Sequence, residues 1–236
     1  MSADGRAASA RGASGLQFFD PAAEYAVTGG RLPHWQQAGT VAFITFRTWD
    51  SMPREVLDRW AAERADWMTR RLPGWERVEW QAAQDRLTPA DRTTLLRLTA
   101  SRWNDDLDRC HGACPLRRPE CSRTVADSLA HFDGDRYALF DYVIMPNHVH
   151  VLAAFPEPGA MRKQCESWKH FTARNLNRML GRSGRFWEED CFDHLVRSAE
   201  QFGHFRRYIA ENPVRAGLRE GEYRHYSRSW DEITVS

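Results

Sequence analysis

Tyr142-Val143-Ile144-Met145-Pro146-Asn147-His148-Val149-His150-Val151-Leu152 decides how this chain folds. Apolar and β-branched residues flank Pro146-Asn147, where proline presets φ for a turn and asparagine tolerates its tight position. The stretch therefore reads as a β-hairpin: a first strand over 136–145, a Met-Pro-Asn-His turn, and a second strand over 148–155. Side chains on a strand alternate between faces, so His148 and His150 share one face, while Val149 and Val151 turn the other way, towards a core. Two neutral imidazoles one pleat apart make half of a divalent-metal site. A hydrogen-bonded histidine pair at a sheet edge would use the same residues.

Towards the C-terminus, residues 201–218 (QFGHFRRYIAENPVRAGL) set Phe202, Phe205 and Ile209 at helical spacing. Tyr208 lies beside that apolar face and Asn212 follows one turn later at i+4, so the hydroxyl and the amide can approach one site. Other uses of these residues stay open. A tyrosine on an amphipathic helix also serves as a half-buried packing residue. Asn212 before Pro213 reads as an N-cap with proline in the first position of a following short helix, which Gly217 ends. Asparagine can cap and ligate at once. His204, one turn before Tyr208, is on the same side.

The two segments together carry a resemblance. MPNHVHVL (145–152) resembles the His-hydrophobic-His motif of the HUH single-tyrosine transposases of insertion-sequence type, in the form found in REP-associated tyrosine transposases. Tyr208-Ile209, Asn212-Pro213 and Arg215-Ala216-Gly217-Leu218 resemble the tyrosine segment of that family. Leu32-Pro33-His34, Thr45-Phe46-Arg47 and a closing Ser-Trp segment at 223–230 extend the likeness over about residues 31–230. The resemblance implies a metal-dependent enzyme that cleaves and rejoins single-stranded DNA. It makes Tyr208 the nucleophile, forming a 5′-phosphotyrosine link, and His148, His150 and Asn212 the ligands of Mg²⁺ or Mn²⁺. The implied partner is single-stranded or hairpin DNA, of the REP palindrome type, and a homodimer is left open. The alternative is a domesticated protein that binds such repeats without cutting them.

Composition neither announces nor excludes that chemistry. With 33 Lys and Arg against 32 Asp and Glu the formal net charge is only +1, so the distribution of charge matters more than its sum. Residues 161–185 hold Arg162, Lys163, Lys169, Arg174, Arg178, Arg182 and Arg185 against the single acid Glu166. Arg174, Arg178, Arg182 and Arg185 recur every three or four residues, as a stripe down one helix face, with Cys165, Trp168, Thr172, Leu176 and Met179 facing the core. Such a stripe is either a solvated face or a phosphate track. Trp168, Phe186, Trp187 and Trp230 are available for base stacking, with core packing as the other use of each. No run of 18 apolar residues exists and the N-terminus lacks a hydrophobic signal segment, so a cytoplasmic protein without a membrane partner is expected. The 5 cysteines lack a Cys-x-x-Cys pair, and Cys110, Cys114 and Cys121 do not read as a zinc set.

The expected order of elements is an Ala/Ser/Gly-rich flexible tail over 1–30, then one domain over 31–236. That domain opens with a strand over 41–49 and a helix from 53 to 72. A helical insert over 73–120 follows, in which Thr88-Pro89-Ala90-Asp91 starts a helix continued by Leu95 and Leu98. A helix beginning at Pro119, the hairpin, the basic helix, a strand around 191–197 and the tyrosine helix complete the chain. Without the insert the order is β-α-β-β-α-β-α: an α+β, ferredoxin-like antiparallel sheet with an appended C-terminal helix. Helices on one face of such a sheet would leave the other free to display His148 and His150.

Overall fold

The computed structural model describes residues 16–28 and 34–233, apart from the side chains of residues 27, 28, 34, 81, 96–101 and 104. Of the tail expected over 1–30, residues 1–15, 29 and 30 lie outside the described residues, as do the Leu32-Pro33 opening and the Leu98 side chain. Residues 16–28 contact the domain. Leu16 is buried, Phe19 N–H donates to Val196 C=O at 2.8 Å, and β1 (Ala26–Thr28) pairs with β2 (His34–Gln36) in a short antiparallel ribbon.

The fold is α+β. A five-stranded antiparallel sheet joins β3 (Val41–Arg47), β4 (Ala138–Ile144), β5 (His148–Ala154), β6 (Phe192–Leu195) and β7 (Arg224–Ser227) in the order β6-β3-β5-β4-β7. Its first four strands have the ferredoxin-like arrangement, with the second hairpin strand between β3 and β4. The Pro-Asn turn closes the hairpin, Met145 N–H donating to His148 C=O at 2.8 Å. β7 comes from the closing Ser-Trp segment and adds a strand beside β4 that the sequence did not suggest.

Both faces of the sheet are covered. On one, Ala42, Ile44, Phe46, Val149 and Val151 pack against Val125 and Leu129 of α4 (Pro119–Ala130) and Cys165, Trp168 and Leu176 of α5 (Ala160–Met179). On the other, Val41, Phe43, Val143 and Leu152 meet Phe202 and Ile209 of α6 (Ala199–Arg215), together with Leu16 and Ile233. The free face anticipated for the histidines is therefore a second core layer. Burying each of these large apolar side chains contributes on the order of 2 kcal/mol, which pins α6 to the sheet. Ser198 caps α6 by accepting from Gln201 N–H at 3.1 Å, and the Gln201 side chain accepts from Arg197 N–H at 2.7 Å.

The helices between β3 and α4 do not lie on the sheet. α1 (Arg54–Arg71), α2 (Trp80–Asp85) and α3 (Pro89–Asp108) bury separate apolar groups, Met68 with Ala83, Leu87 and Leu95, and Met52 with Val56 and Leu107. The excursion from the sheet thus begins at α1, before residue 73, and α4 is the helix that completes the first β-α-β crossover. Asp106 fastens the end of α3 to α1: it accepts from Arg59 at 3.1 Å and from the Trp60 indole at 2.7 Å.

Candidate metal and nucleophile site

His148 and His150 project from β5 onto the α6 face, both fully buried. Their Nε2 atoms are 3.1 Å apart. Each Nδ1 has its own partner. His148 Nδ1 meets Asn147 Oδ1 at 2.8 Å, and the Asn147 amide is fixed in that orientation because its Nδ2 donates to His111 C=O at 2.9 Å. So His148 carries its proton on Nδ1, and its Nε2 holds a lone pair. His150 Nδ1 lies 2.8 Å from Thr45 Oγ1, a hydroxyl able to donate or accept. With Thr45 donating, His150 Nε2–H donates to His148 Nε2. With Thr45 accepting, both Nε2 lone pairs face the same space, which is the donor arrangement a metal ion requires. Burial pulls His148 down to about 3 and His150 well below the usual histidine range, so both imidazoles are neutral at pH 7.

The loop that supplies His111 passes close beneath. Gly112 has φ +88°, and a Cβ there would come within 2.6 Å of Asp50 C=O, so this position requires glycine.

α6 crosses the same face and brings Tyr208 and Asn212 to it. Phe43 forms the seat: it stacks on His150 with ring centroids 5.3 Å apart and on Phe205 at 4.3 Å, and meets Tyr208 edge-on at 5.8 Å. The Tyr208 and His150 rings are 5.2 Å apart. Asn212 is fully buried. The short helix expected to start at Asn212 does not form. Pro213 sits inside α6, which runs on to Arg215 and ends with Leu218 N–H bonded to Pro213 C=O and Gly217 N–H to Val214 C=O. That is a Schellman ending with Gly217 at φ +67°. Tertiary packing of the Phe202–Ile209 face outweighs the local preference for a break before proline. His204, by contrast, is exposed and outside the site.

A residue the sequence reading missed completes the group. Asp108, the last residue of α3, places a carboxylate among the histidines: its Oδ1 is 4.0 Å from His148 Nε2, and ligand atoms of Asp108, His148 and His150 all lie within 4.8 Å of one another. Asn212 Nδ2 donates to Asp108 Oδ1 at 2.9 Å, and Arg215 Nη2 holds Asp108 Oδ2 at 3.3 Å while its guanidinium lies 5.3 Å from the Tyr208 ring centroid. Burial raises the Asp108 carboxyl, which these two donors partly offset. Two buried polar atoms here, Tyr208 Oη and Asn212 Oδ1, have no hydrogen-bond partner. A divalent cation suits this set: two neutral imidazoles, a carboxylate and an orphaned amide oxygen are all available donors. Tyr208 is pushed above the ordinary tyrosine range, by burial first and the nearby Asp108 second, so without a cation its hydroxyl is a poor nucleophile.

The basic residues of 161–185 do not border this group. α5 packs on the Val149 side of the sheet, opposite the histidines. Lys163, Arg174 and Arg178 are exposed on its outer side, and Arg162 is exposed there with Glu166 as partner at 3.3 Å. Lys169 is buried and donates to the Glu189 carbonyl at 2.5 Å. Arg182 and Arg185 lie beyond the end of α5, so the expected helical stripe stops at Arg178; Arg182 covers the Phe186 ring and Arg185 pairs with Glu188. Met179, expected in the core, is exposed. Trp168, Phe186 and Trp187 are core residues, not free stacking platforms, whereas Trp230 is exposed with Arg206 over its ring at 4.2 Å. The cysteines are free thiols, and Cys114 donates to Cys110 C=O at 2.9 Å.

No family model matches the chain, and no curated protein does. A solved structure described as a REP-associated tyrosine transposase bound to a REP hairpin is similar to it at 12% sequence identity and a TM-score of 0.42, over 81% of this chain and 77% of that one. No helix among the described residues is long and apolar enough to cross a membrane.

Proposed function

We propose that this chain is a metal-dependent transposase or nickase for single-stranded DNA, with Tyr208 as nucleophile and His148, His150 and Asn212 as ligands of Mg²⁺ or Mn²⁺. One observation carries the reading: the tyrosine hydroxyl and the asparagine amide oxygen, both buried and unpartnered, sit on one helix against a buried pair of facing imidazoles. A packing tyrosine would satisfy its hydroxyl, and a structural asparagine its amide. A divalent ion bound there would offset the charge that develops on a scissile phosphate.

The chain's own residues account for the rest. Tyr208 Oη forms the bond to phosphorus as the P–O3′ bond breaks; the tyrosine gives up its proton and the departing 3′ oxygen takes one. The products are a 5′-phosphotyrosine link and a free 3′-OH. Because the link retains the energy of the broken ester, a new 3′-OH can reverse the step without ATP. Phe43 and the packed face of α6 hold the tyrosine beside the ligands, and a phosphate reaches its buried hydroxyl only when that cover opens. Hairpin-flanked single strands of REP type are the proposed substrate, since a phosphate within a stacked duplex is hard to align. Arg162, Lys163, Arg174 and Arg178, together with Arg182 and Arg185, remain the proposed basic contacts, and their place across the sheet from Tyr208 suits a stem held away from the cleavage point; Lys169, buried on the Glu188 and Glu189 carbonyls, is not among them.

The test is a denaturing-gel assay with end-labelled hairpin DNA taken from repeats flanking the native gene, with Mn²⁺ or Mg²⁺, and wild type beside Tyr208→Phe. Label that travels with wild-type protein and is absent from the variant is the expected result. Binding without adduct, for several hairpins and both metals, would replace this reading with a repeat-binding protein that does not cut.

A further inference from the structure

The geometry points to Asp108, delivered by the helical insert, as the anionic ligand of a His148–His150–Asp108 centre that takes a transition-metal divalent ion of the Mn²⁺ or Co²⁺ class in preference to Mg²⁺. The inference rests on the metal-site reading above and goes further, adding a ligand from outside the hairpin and the tyrosine helix and naming the class of ion.

Three independent features place the carboxylate for that role. First, the separations fit. Ligand atoms held by one ion through bonds of roughly 2.1 Å stand about 3–4.2 Å apart; here His148 Nε2 is 3.1 Å from His150 Nε2 and 4.0 Å from Asp108 Oδ1, and all three ligand atoms lie within 4.8 Å of one another, so an ion would need to draw the carboxylate in only slightly. Second, the carboxylate is held on both sides without being consumed. Arg215 takes Oδ2 at 3.3 Å, leaving Oδ1 towards the imidazoles with only the Asn212 amide on it. The same amide hydrogen bond fixes the orientation of Asn212, whose Oδ1 is buried without a partner. A ligating carboxylate is typically braced in this way by outer partners.

Third, the backbone around Asp108 is built to keep it there. Leu107 is fully buried against α1, and Asp106 is bound by Arg59, Trp60 and Arg109. The chain then reverses at Cys110, whose φ of +52° is a left-handed conformation that a non-glycine residue adopts at a cost. A helix end fixed by its neighbours on both sides of one buried acid is a mounting for that acid. Two imidazoles and one carboxylate favour ions that accept nitrogen, whereas Mg²⁺ prefers an all-oxygen shell and gives up its waters reluctantly.

The experiment uses the full chain stripped of metal, with MnCl₂, MgCl₂ or CoCl₂ alone as probe and no DNA. Calorimetric titration gives affinity, and the visible absorption of bound Co²⁺ reports its ligands. Wild type is expected to bind Mn²⁺ at least about tenfold more tightly than Mg²⁺. Asp108→Asn keeps the size and the hydrogen bond from Asn212, and is expected to weaken Mn²⁺ by about 100-fold or more and to change the Co²⁺ spectrum. Arg215→Gln, which removes only a brace, is expected to cost about tenfold and leave the spectrum as it is. Should Asp108→Asn fail to fold, Asp108→Glu takes its place, with a shifted Co²⁺ spectrum expected. Wild-type affinity and spectrum in the Asp108 variants would overturn the inference, while loss of binding in His148→Ala would leave the metal site itself standing. Equal affinity for Mg²⁺ and Mn²⁺ would overturn the ion class. No binding of any of the three ions by wild type would overturn both this inference and the proposed function.

Discussion

Acid should loosen this protein through its buried imidazoles, and the size of the effect follows from one of them. His148 is fully buried, its Nδ1 proton engaged by Asn147 and its Nε2 facing His150. Burial holds its folded-state pKa at about 3, against about 6.5 in an unfolded chain. Between those values the unfolded state binds more protons than the folded one. The stabilisation is therefore complete above about pH 6.5 and is withdrawn as pH falls towards 3. Going from about pH 7.5 to about pH 4.5 crosses two of those units at 1.36 kcal/mol each, so His148 alone accounts for roughly 2.5 kcal/mol.

His150 acts in the same direction, held down by burial, then by His148 and Arg215. Asp108 and Asp141 oppose it. Burial raises both, so the cost of keeping them ionised is relieved on acidification. A comparison isolates the histidine from these carboxylates: urea unfolding of wild type and His148→Gln, in a chelator, at about pH 7.5, 6, 5 and 4.5. The glutamine variant has no imidazole to protonate, so the stability gap between the two proteins is expected to close by roughly 2.5 kcal/mol over that range. A gap that stays constant with pH would refute the argument, because it would mean that the folded site accepts the proton as readily as water does.

Three substitutions read other parts of the same arrangement. Thr45→Val keeps the shape of the strand but leaves His150 Nδ1 without a partner; stability by urea titration is expected to fall by about 1–3 kcal/mol and Mn²⁺ affinity by about 10–100-fold, and an unchanged affinity would remove Thr45 from the site. Tyr208→Phe deletes a buried hydroxyl that has no partner, so its melting temperature is expected to equal or exceed that of wild type; a drop of several degrees would mean the hydroxyl is structurally engaged. Arg206→Met strands Asp141, which is 1% exposed and 2.9 Å from the guanidinium, and also releases Ser227. A cost of about 3–5 kcal/mol is expected by thermal or urea unfolding, largely recovered when Asp141→Leu is added; a mild single variant would show that α6 is not tied to β4 and β7 through this pair.

How much of this was legible depended on whether a residue's role is set by its chain neighbours or by distant ones. The hairpin was readable because Pro146-Asn147 and the alternation on either side are local causes, and register then forces His148 and His150 onto one face. The α6 face was readable because the spacing of Phe202, Phe205 and Ile209 leaves little choice. Which side of the sheet would be covered was not, since Leu152 and Ala154 alternate with Val151 and Ala153 and both rows are apolar. Local preference also pointed the wrong way at Asn212-Pro213, where packing keeps the helix intact. Asp108 was the costliest omission, and there the sequence did hold a signal. Asp105, Asp106 and Asp108 occupy the final turn of a helix that carries no basic residue within that turn, at the end where the macrodipole disfavours negative charge. Acids placed against the dipole need a partner to offset the penalty. Asp106 finds one in Arg59, Trp60 and Arg109, and Asp108 finds Asn212 and Arg215. The helix end is thus unfavourable by itself and favourable only once α1 and α6 close around it. It follows that the insert and α6 form this site jointly, and that removing the insert to obtain a smaller domain would take away the carboxylate that holds Asn212 in place.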